Sequence, residues 1–385
     1  MKNQSSQHGL KKFQNSPGEG SCTSTDAGPA SEVLAAATKK RSNFLKVLGK
    51  FWAWFFLVLL VIYFSFYPGF FDLSNFQSLL ANNALLLVLA LGQTFVIITG
   101  GIDLSTGFVM GLASVAASLV MRSLPAGTNL LVVLLLGLLT CIVIGLITGY
   151  INGTVISRLK VPPFIATLGM YGIARGIGYV LSGGPPVSVN ITQIGQLGNG
   201  YVMYFHQKAG VGWFNVPAGV SGLELRNVVS ILPYMVIYSL ILFLAMDWVL
   251  AKTKFGQHVY ATGGNQMAAL RAGISVTNIL TKVYILSAVM AALAGFLYVL
   301  RYTGGVANAG DALNLNSIAA IAIGGASMLG GEGNMLGTLV GVIIIAIITN
   351  GLIIVGIDPF WQYVAVGLII ILAVLVDQIR NRVLS

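Results

Sequence analysis

Residues 255–274 read FGQHVYATGGNQMAALRAGI. This is the longest polar segment that lies between two strongly apolar runs, and cations flank it on both sides. Lys and Arg residues beside apolar runs are retained on the cytoplasmic side of a membrane. We therefore interpret this segment as a part of the chain that faces the cytoplasm, where a partner protein can contact it.

Local signals inside this segment predict a short helix. Gly263 and Gly264 break the chain, and the Asn265 side chain can accept hydrogen bonds from the first free N–H groups of a helix. Gly273 can close that helix in the left-handed conformation. Such a helix could enter a groove on a partner, or it could be an amphipathic connector resting on the membrane surface. Its apolar stripe comprises Met267, Leu270 and Ile274, with the small residues Ala268, Ala269 and Ala272 between them.

The composition of the chain explains why a single polar segment, 255–274, is so informative. Charged residues make up 8% of the chain and hydrophobic residues 56%, whereas an ordinary soluble domain is about 25% charged. A hydrocarbon core of about 30 Å takes about 20 apolar helical residues to cross. The sequence therefore predicts an all-α polytopic membrane protein with about ten transmembrane helices, the eighth being short, Gly-rich and broken or re-entrant. The predicted spans are 51–67, 82–99, 105–121, 129–151, 164–181, 228–250, 278–300, 317–331, 335–355 and 359–378.

The remaining segments divide the chain into a tail, a membrane domain and two long loops. Residues 1–42 are rich in polar and small residues, which predicts a disordered cytoplasmic tail, and residues 43–385 form the transmembrane domain. The predicted external loop 182–227 is irregular and carries aromatic residues suited to a membrane interface. A lid, a docking surface and a plain interfacial loop are all open for it. The predicted cytoplasmic loop is 251–277.

The distribution of cations predicts the orientation. With both termini in the cytoplasm, 16 of the 21 Lys and Arg residues fall inside and only four fall outside, while Arg175 lies within a span. The net charge of +10 therefore reflects topology. A basic patch interleaved with aromatic residues is absent from the sequence, so nucleic acid is not an expected partner.

A few polar residues within the spans are candidates for a functional role. Asp103 and Ser105 stand between the second and third spans, and the favoured interpretation is that both cap the third helix. The alternative is that they line a translocation path, as Gln93 and Asn152 could. Glu332 is a candidate cap of the ninth helix. Ionisable groups cost free energy inside a membrane, so each is worth a functional hypothesis.

Several kinds of chemistry are missing from the sequence. It contains no Gly-x-x-x-x-Gly-Lys-[Ser/Thr] phosphate loop, no His and Cys cluster with metal-ligand spacing, and no Ser/His/Asp set on a plausible enzyme scaffold. We therefore expect neither catalytic residues nor a cofactor in this chain. We expect the energy for any transport to be supplied by another protein.

A series of ordered motifs resembles one family of transport proteins: Leu91–Thr94, Gly100–Ser105, Asn152–Gly153, Val161–Met170, Ala174–Gly176, Gly263–Asn265, Ala319–Ser327, Gly330–Gly333, Asn350–Leu352 and Phe360–Gln362. They are similar to the ribose/xylose/arabinose/galactose-type permease subunits of bacterial ATP-binding cassette (ABC) importers. The resemblance covers roughly residues 50–382, although the segment 182–227 looks longer than in ribose-type members.

The resemblance implies a set of partners in the bacterial inner membrane. It implies a homodimeric membrane core surrounded by lipid, a cytoplasmic subunit with two tandem ATP-binding halves that holds ATP and Mg, and an extracytoplasmic sugar-binding protein. It also implies that residues 267–273 match the Glu-Ala-Ala-x-x-x-Gly spacing of a coupling loop, with Met267 where the broader class has Glu. The residues implied in ATPase coupling are Gly263, Gly264, Asn265, Met267, Ala268, Ala269, Arg271 and Gly273.

The expected function is translocation of a monosaccharide, a pentose or a hexose, driven by ATP in the partner. A permease for another small solute, such as a nucleoside or an autoinducer-like sugar, is the alternative within transport. An ion-coupled secondary carrier is the alternative from another class. Transport that survives collapse of the proton gradient but stops on ATP depletion would separate the importer from the carrier.

Overall fold

A computed structural model describes residues 52–375 apart from 126, 359, 369, 370, 373 and 374. The predicted cytoplasmic tail, residues 1–42, lies outside the described residues. Most of the described chain is helical, which confirms the predicted helical polytopic class.

The long helices follow the predicted spans closely. With the shorter helices α6, α8 and α9 of the predicted loops, the helices of the described chain are α1 (Trp52–Ser65), α2 (Leu73–Ile98), α3 (Thr106–Ser123), α4 (Leu130–Ser157), α5 (Pro163–Ser182), α6 (Thr192–Asn199), α7 (Tyr234–Lys252), α8 (Lys254–Gly264), α9 (Gln266–Arg271), α10 (Val276–Tyr302), α11 (Asp311–Ile323), α12 (Met335–Ile354) and α13 (360–368).

Seven helices of the described chain are long and apolar enough to cross a membrane, namely α2, α3, α4, α5, α7, α10 and α12. Helices α1 and α11 are shorter, and the tenth predicted span, 359–378, is described only in part. The predicted count of ten is therefore not confirmed, although a helix stands at each of the ten predicted places.

Burial separates the central helices from the peripheral ones. In the most apolar stretch of α2, 89% of the residues are buried within the protein, whereas in that of α4 only 22% are buried. Helix α4 exposes aliphatic side chains such as Leu135 and Leu139, each more than half exposed. Water is a poor solvent for such a surface, so this face of α4 suits the lipid chains of the bilayer.

Glycines allow α4 to lie directly against α10. A Cβ added to Gly145 would come 2.7 Å from the Cα of Val289, and one added to Gly149 would come 2.6 Å from the Cα of Ile285. Close backbone approach through small residues at four-residue spacing is the usual way in which membrane helices pack.

In the eighth predicted span, 317–331, the helix ends at Ile323, just before Gly324 and Gly325, and residues 324–331 are not helical. After α10, residues 303–310 run beside α3 without forming a helix, and Gly305, Ala307 and Gly310 lie against Ser114, Gly111 and Gly107 in turn. Helix α11 follows and packs against α12, where an added Cβ on Gly341 would strike the carbonyl of Ala320. This helix of 13 residues covers only the first part of the predicted eighth span, and a re-entrant path for that span stays a prediction.

The segment between α5 and α7 is more ordered than the predicted irregular loop. It contains α6, a 3₁₀ turn at Gly222–Asn227 and a three-stranded antiparallel sheet in the order β3–β2–β4. The first strand of the segment, β1, pairs with β5, which follows α10. The strands are β1 (Val187–Ser188), β2 (Tyr201–His206), β3 (Gly210–Trp213), β4 (Val229–Pro233) and β5 (Gly304–Gly305).

Loops that were assigned to one side of the membrane also meet at one end of the structure. Gly331 N–H donates to the Ile98 carbonyl at 2.8 Å, and Tyr260 Oη donates to the Gly333 carbonyl at 2.6 Å. At the other end, the Arg301 guanidinium donates a hydrogen bond to the side chain of Asn199, in the segment between α5 and α7. The grouping matches the predicted topology, while the side that faces the cytoplasm stays a prediction.

Candidate functional site

The chain between α2 and α3, residues 99–105, leaves the helical conformation inside the protein. Gly100 has a φ of +77°, which glycine adopts without steric cost. Gly101, Asp103 and Ser105 are buried. Backbone that is not helical at membrane depth must find its hydrogen-bond partners within the protein, because lipid offers none. Nearby side chains have to supply them.

Asp103 is at the centre of this break and is 1% exposed. Its Oδ1 atom accepts hydrogen bonds from the Ser105 N–H at 3.0 Å and from Ser105 Oγ at 2.6 Å. Its Oδ2 atom accepts from Ser287 Oγ of α10 at 2.9 Å. The carboxyl group therefore joins the start of α3 to the middle of α10.

Ser105 occupies the N-cap position of α3, but its side chain makes no capping hydrogen bond to the helix. The prediction that Ser105 caps the helix with its side chain is wrong, because its hydroxyl group donates a hydrogen bond to Asp103 instead. Ser105 Oγ also accepts from Asn152 Nδ2 of α4 at 3.0 Å. Asp103 acts on the N-cap residue itself by accepting its N–H group.

Gln93 of α2 connects this cluster to α11. Its Nε2 atom lies 3.0 Å from the Asp103 carbonyl, 2.6 Å from Thr106 Oγ1 and 3.0 Å from Asn314 Oδ1, and Ser317 Oγ donates to its Oε1 atom at 2.6 Å. Asn314 Nδ2 in turn donates to the Leu104 carbonyl at 2.7 Å. The amide of Gln93 thus uses both its donor and its acceptor.

The structure brings together four of the five residues predicted as path or cap. Gln93, Asp103, Ser105 and Asn152 form one hydrogen-bonded network, and each is at most 2% exposed. Glu332 belongs instead to the loop between α11 and α12. The N-cap of α12 is Asn334, whose side chain accepts from the Gly337 N–H at 2.6 Å, so the prediction that Glu332 caps this helix is wrong.

Sequence reasoning missed the partners from α10 and α11. Ser287, Asn314 and Ser317 are all buried, and they lie 184 to 224 residues from their partners Asp103 and Gln93. The available signal was the spacing of Asn314 and Ser317, which puts two polar side chains on one face of a mostly apolar helix. That signal does not identify which residue the face meets.

The network joins six parts of the chain: α2, the break 99–105, the start of α3, α4, α10 and α11. Every member is sealed between helices in this structure, and the paired groups satisfy one another. Satisfied polar networks in a low-dielectric interior specify one arrangement of their elements. We call this cluster the interior polar network. Its hydrogen bonds fix the position of residues 99–105, and breaking them would free that segment to move.

The segment predicted to be cytoplasmic forms two short helices, α8 and α9. Asn265 separates them with an extended backbone, and its Oδ1 atom accepts from the Ala268 N–H at 2.9 Å, which confirms the predicted cap. At the other end, Gly273 has a φ of +82°. The Ile274 N–H donates to the Ala269 carbonyl and the Gly273 N–H to the Leu270 carbonyl, each at 3.0 Å, which is the Schellman pattern of a helix end.

Helix α9 presents an apolar surface to solvent. Met267 is 61% exposed and Leu270 is 57% exposed, and Ala268 and Arg271 are also exposed. Ala269 is 5% exposed because it packs against Val276 and Leu280 of its own chain. Ala269 therefore holds α9 onto α10 and is not itself available to a partner.

Gly263 and Gly264 are the last two residues of α8, and the extended Asn265 follows them, so the chain breaks directly after the predicted glycines. Gly263 has a different role. A Cβ at this position would strike the carbonyl of Ile98 and would come 2.7 Å from the N atom of Gly331. The absence of a side chain lets α8 press directly on the end of α2, where the break 99–105 begins.

We expect Asp103→Asn to keep most of the stability of the protein and Asp103→Ala to lose much of it. The asparagine amide retains Oδ1 as an acceptor and can donate to Ser287 Oγ, whereas alanine leaves three buried donors without an acceptor. Each unsatisfied buried donor costs about 1–3 kcal/mol. Thermal unfolding in detergent measures the difference, and equal melting temperatures for the two variants would contradict the role given to the carboxyl group.

Comparison with known proteins gives a consistent assignment. A family described as "Branched-chain amino acid transport system / permease component" matches residues 75–374. The ribose import permease protein of Bacillus subtilis is 36% identical over 89% of this chain and 97% of its own length. The fructose import permease protein of Rhizobium meliloti is 34% identical, over 85% and 84% respectively.

A third relative is the galactose/methyl galactoside import permease protein of Escherichia coli, which is 35% identical over 84% of this chain and 92% of its own length. No solved structure matches the chain significantly. Since the family match and the relatives both span most of the membrane helices described above, this chain belongs to the transport-system permease component family and is a multi-pass membrane permease subunit.

Proposed function

We propose that this chain is the membrane-spanning subunit of an ABC importer that brings a monosaccharide across the bacterial inner membrane. The observation that carries the proposal is that permeases for three different sugars each align with at least 84% of the chain at 34–36% identity. A permease component is one part of a transport system. The other parts are an ATPase subunit and an external sugar-binding protein.

The ATPase subunit binds at α9. Support comes from the exposed apolar pair Met267 and Leu270, next to the cation Arg271, on a helix fixed at both ends by its cap and its left-handed glycine. Apolar anchors at helical spacing are how a helix occupies a groove on a partner. ATP and Mg belong to that partner, which carries the hydrolysis.

Movement of α9 would reach the interior polar network through the adjoining helix α8. Helix α8 touches the carbonyl of Ile98 through Gly263, and the break that starts there ends in Asp103 and Ser105. Within the described residues, the buried hydroxyl of Tyr284 has no hydrogen-bond partner and lies against Gly101 in the middle of the break. An unpaired buried hydroxyl favours a second arrangement in which the break accepts its hydrogen bond. Alternation between inward and outward access would use these two arrangements.

A second copy of the chain packs against α5. On this helix Gly169, Gly172 and Gly176 form one exposed face, and a Cβ added to any of them would have no atom of the described chain within 4 Å. Glycine faces let membrane helices approach closely, whereas the lipid-facing surface of α4 carries leucine and isoleucine.

A single cysteine at Gly172→Cys, in a variant without the native Cys22 and Cys141, should form a disulfide between two copies of the permease in membranes. Disulfide formation needs Cα atoms within about 7 Å, which the glycine face permits. The control is Leu139→Cys on the exposed face of α4. Non-reducing gel electrophoresis after oxidation measures the dimer, and equal cross-linking of both variants would remove the support for this interface.

The termini and α9 face the cytoplasm in this proposal. Single cysteines that replace Arg158 or Lys252 should be shielded from a membrane-impermeant thiol reagent in intact cells, while one that replaces Lys208 should react. The reason is the excess of cations at the end of the molecule that holds α9. Lys208 lies at the turn between β2 and β3, at the other end. Reaction at position 252 from outside would reverse the orientation.

Leu270→Glu should release the ATPase subunit, because it puts a charge on the apolar surface of α9 and leaves the membrane helices unchanged. Gly273→Val should act similarly, since a β-branched residue resists the left-handed conformation that closes α9. The measurements are co-purification of the ATPase and sugar-stimulated ATP hydrolysis in proteoliposomes.

The matched control for these variants is Gln257→Glu on α8, which adds the same charge to an exposed residue outside α9. It should retain ATP hydrolysis close to that of the unchanged protein. If Leu270→Glu keeps the ATPase bound and stimulated, α9 is a surface connector and not the coupling element. Sugar uptake that stops with the proton gradient rather than with ATP would argue for an ion-coupled carrier.

A further inference from the structure

The outer end of the molecule contains a cavity that neither the interior polar network nor α9 explains. It has a volume of about 630 Å³ and lies between the end of α6, the strands β2 and β3, and the first residue of α7. Small-molecule sites typically have volumes of about 300–1,000 Å³ and combine an apolar lining with a few polar groups. We call it the outer cavity.

An aromatic platform forms one wall of the outer cavity. The rings of Phe214 and Tyr234 stack with centroids 6.4 Å apart and planes 29° apart. Phe214 is 60% exposed, so its ring remains available to a ligand. Tyr234 packs on Gly200, where an added Cβ would strike the ring. The platform is therefore supported from beneath by backbone.

Phe214 is held in an unfavourable backbone conformation. Its φ is +62°, which costs a residue other than glycine about 1–2 kcal/mol. Two hydrogen bonds maintain the conformation: its N–H donates to the Val202 carbonyl at 2.8 Å, and its carbonyl accepts from Tyr234 Oη at 3.2 Å. Backbone strain of this kind clusters at ligand sites, where it fixes a side chain before the ligand arrives.

Two side-chain amides face the same cavity with their hydrogen-bonding capacity unused. Gln196 and Asn215 line it, and neither amide group has a hydrogen-bond partner within the described part of the chain. Asn199 differs, because its amide is already bound to Arg301 and to the Gly195 carbonyl. Each free amide offers two donors and one acceptor group, which together can pair with neighbouring hydroxyl groups.

We propose that the outer cavity is a binding subsite for a monosaccharide, whose ring lies on Phe214 while its hydroxyl groups pair with Gln196 and Asn215. The C–H face of a sugar ring is apolar and matches an aromatic face, and its edge carries the hydroxyls that amides recognise. The choice of a sugar rests on the proposed function. The subsite receives the sugar at the outer face before it enters the membrane domain.

The test is equilibrium dialysis of the purified permease with its ATPase subunit in lipid nanodiscs, without the external binding protein, using tritiated D-ribose, D-fructose and D-galactose. The variant Phe214→Gly removes the ring and retains the backbone, because glycine adopts a positive φ freely and both hydrogen bonds use backbone atoms. The double variant Gln196→Ala/Asn215→Ala removes the amides. The matched control is Trp213→Ala, a neighbouring aromatic residue that is 63% exposed and is not among the residues that line the cavity.

At least one of the three sugars should bind to the unchanged protein. Its dissociation constant should rise by about threefold or more in Phe214→Gly, as expected for the loss of an aromatic contact, and should also rise in the double amide variant. Trp213→Ala should bind as the unchanged protein does. No binding of any of the three sugars, binding that Phe214→Gly does not weaken, or an equal loss in Trp213→Ala would each overturn the subsite.

ATP-dependent uptake of the same sugars by the complete transporter, with its binding protein, separates this proposal from the function on which it rests. If the unchanged transporter imports none of the three, the assignment of the substrate class fails. If it imports one of them and Phe214→Gly leaves sugar binding to the permease unchanged, only the subsite fails.

Discussion

The interior of this protein depends on one constraint: backbone that is not helical at membrane depth must find its hydrogen bonds inside the protein. Residues 99–105 and residues 303–310 are two non-helical segments of the described chain that lie partly buried between helices. The Leu104 carbonyl of the first segment accepts from Asn314, and the Val306 N–H of the second donates to Ser114 Oγ at 3.2 Å. Without these side chains, both segments would leave polar groups exposed to an apolar surrounding.

The same constraint explains where the small residues lie. A non-helical segment is narrower than a helix, so the adjacent helix can approach it until the two backbones are in contact, as they are at Gly107 and Gly310. Gly263 brings α8 against the end of α2 in the same way. At Gly263 no side chain separates the two helices, so a change in the position of α8 acts directly on the carbonyl of Ile98. Rigid contacts of this kind carry displacement over a distance, whereas long side chains would dissipate it in rotamer changes.

Local signals predicted those features that depend on a few neighbouring residues. The Asn265 cap and the left-handed Gly273 were predicted because each depends on its own residue type. Polar residues in apolar surroundings singled out Gln93, Asp103, Ser105 and Asn152, which the structure brings together, and also Glu332, which it does not. They did not indicate the partners Ser287 and Asn314, which are distant in the sequence. The outer sheet was missed because β2 reads Tyr-Val-Met-Tyr-Phe-His, which lacks the strict alternation of a half-buried strand.

The pairing of β1 with β5 has a consequence for the outer face. Val187 and Ser188 belong to the segment that carries the outer cavity, while Gly305 and Gly304, their partners, begin the extended segment that leads to α11 and Asn314. Two strands joined by a ladder move together, since separating them would break their hydrogen bonds. The outer segment is therefore tethered to one partner of the interior polar network by ten residues of chain or fewer, from Gly304 to Asn314. The interior polar network is therefore linked to both ends of the molecule, to one through α8 and to the other through this tether.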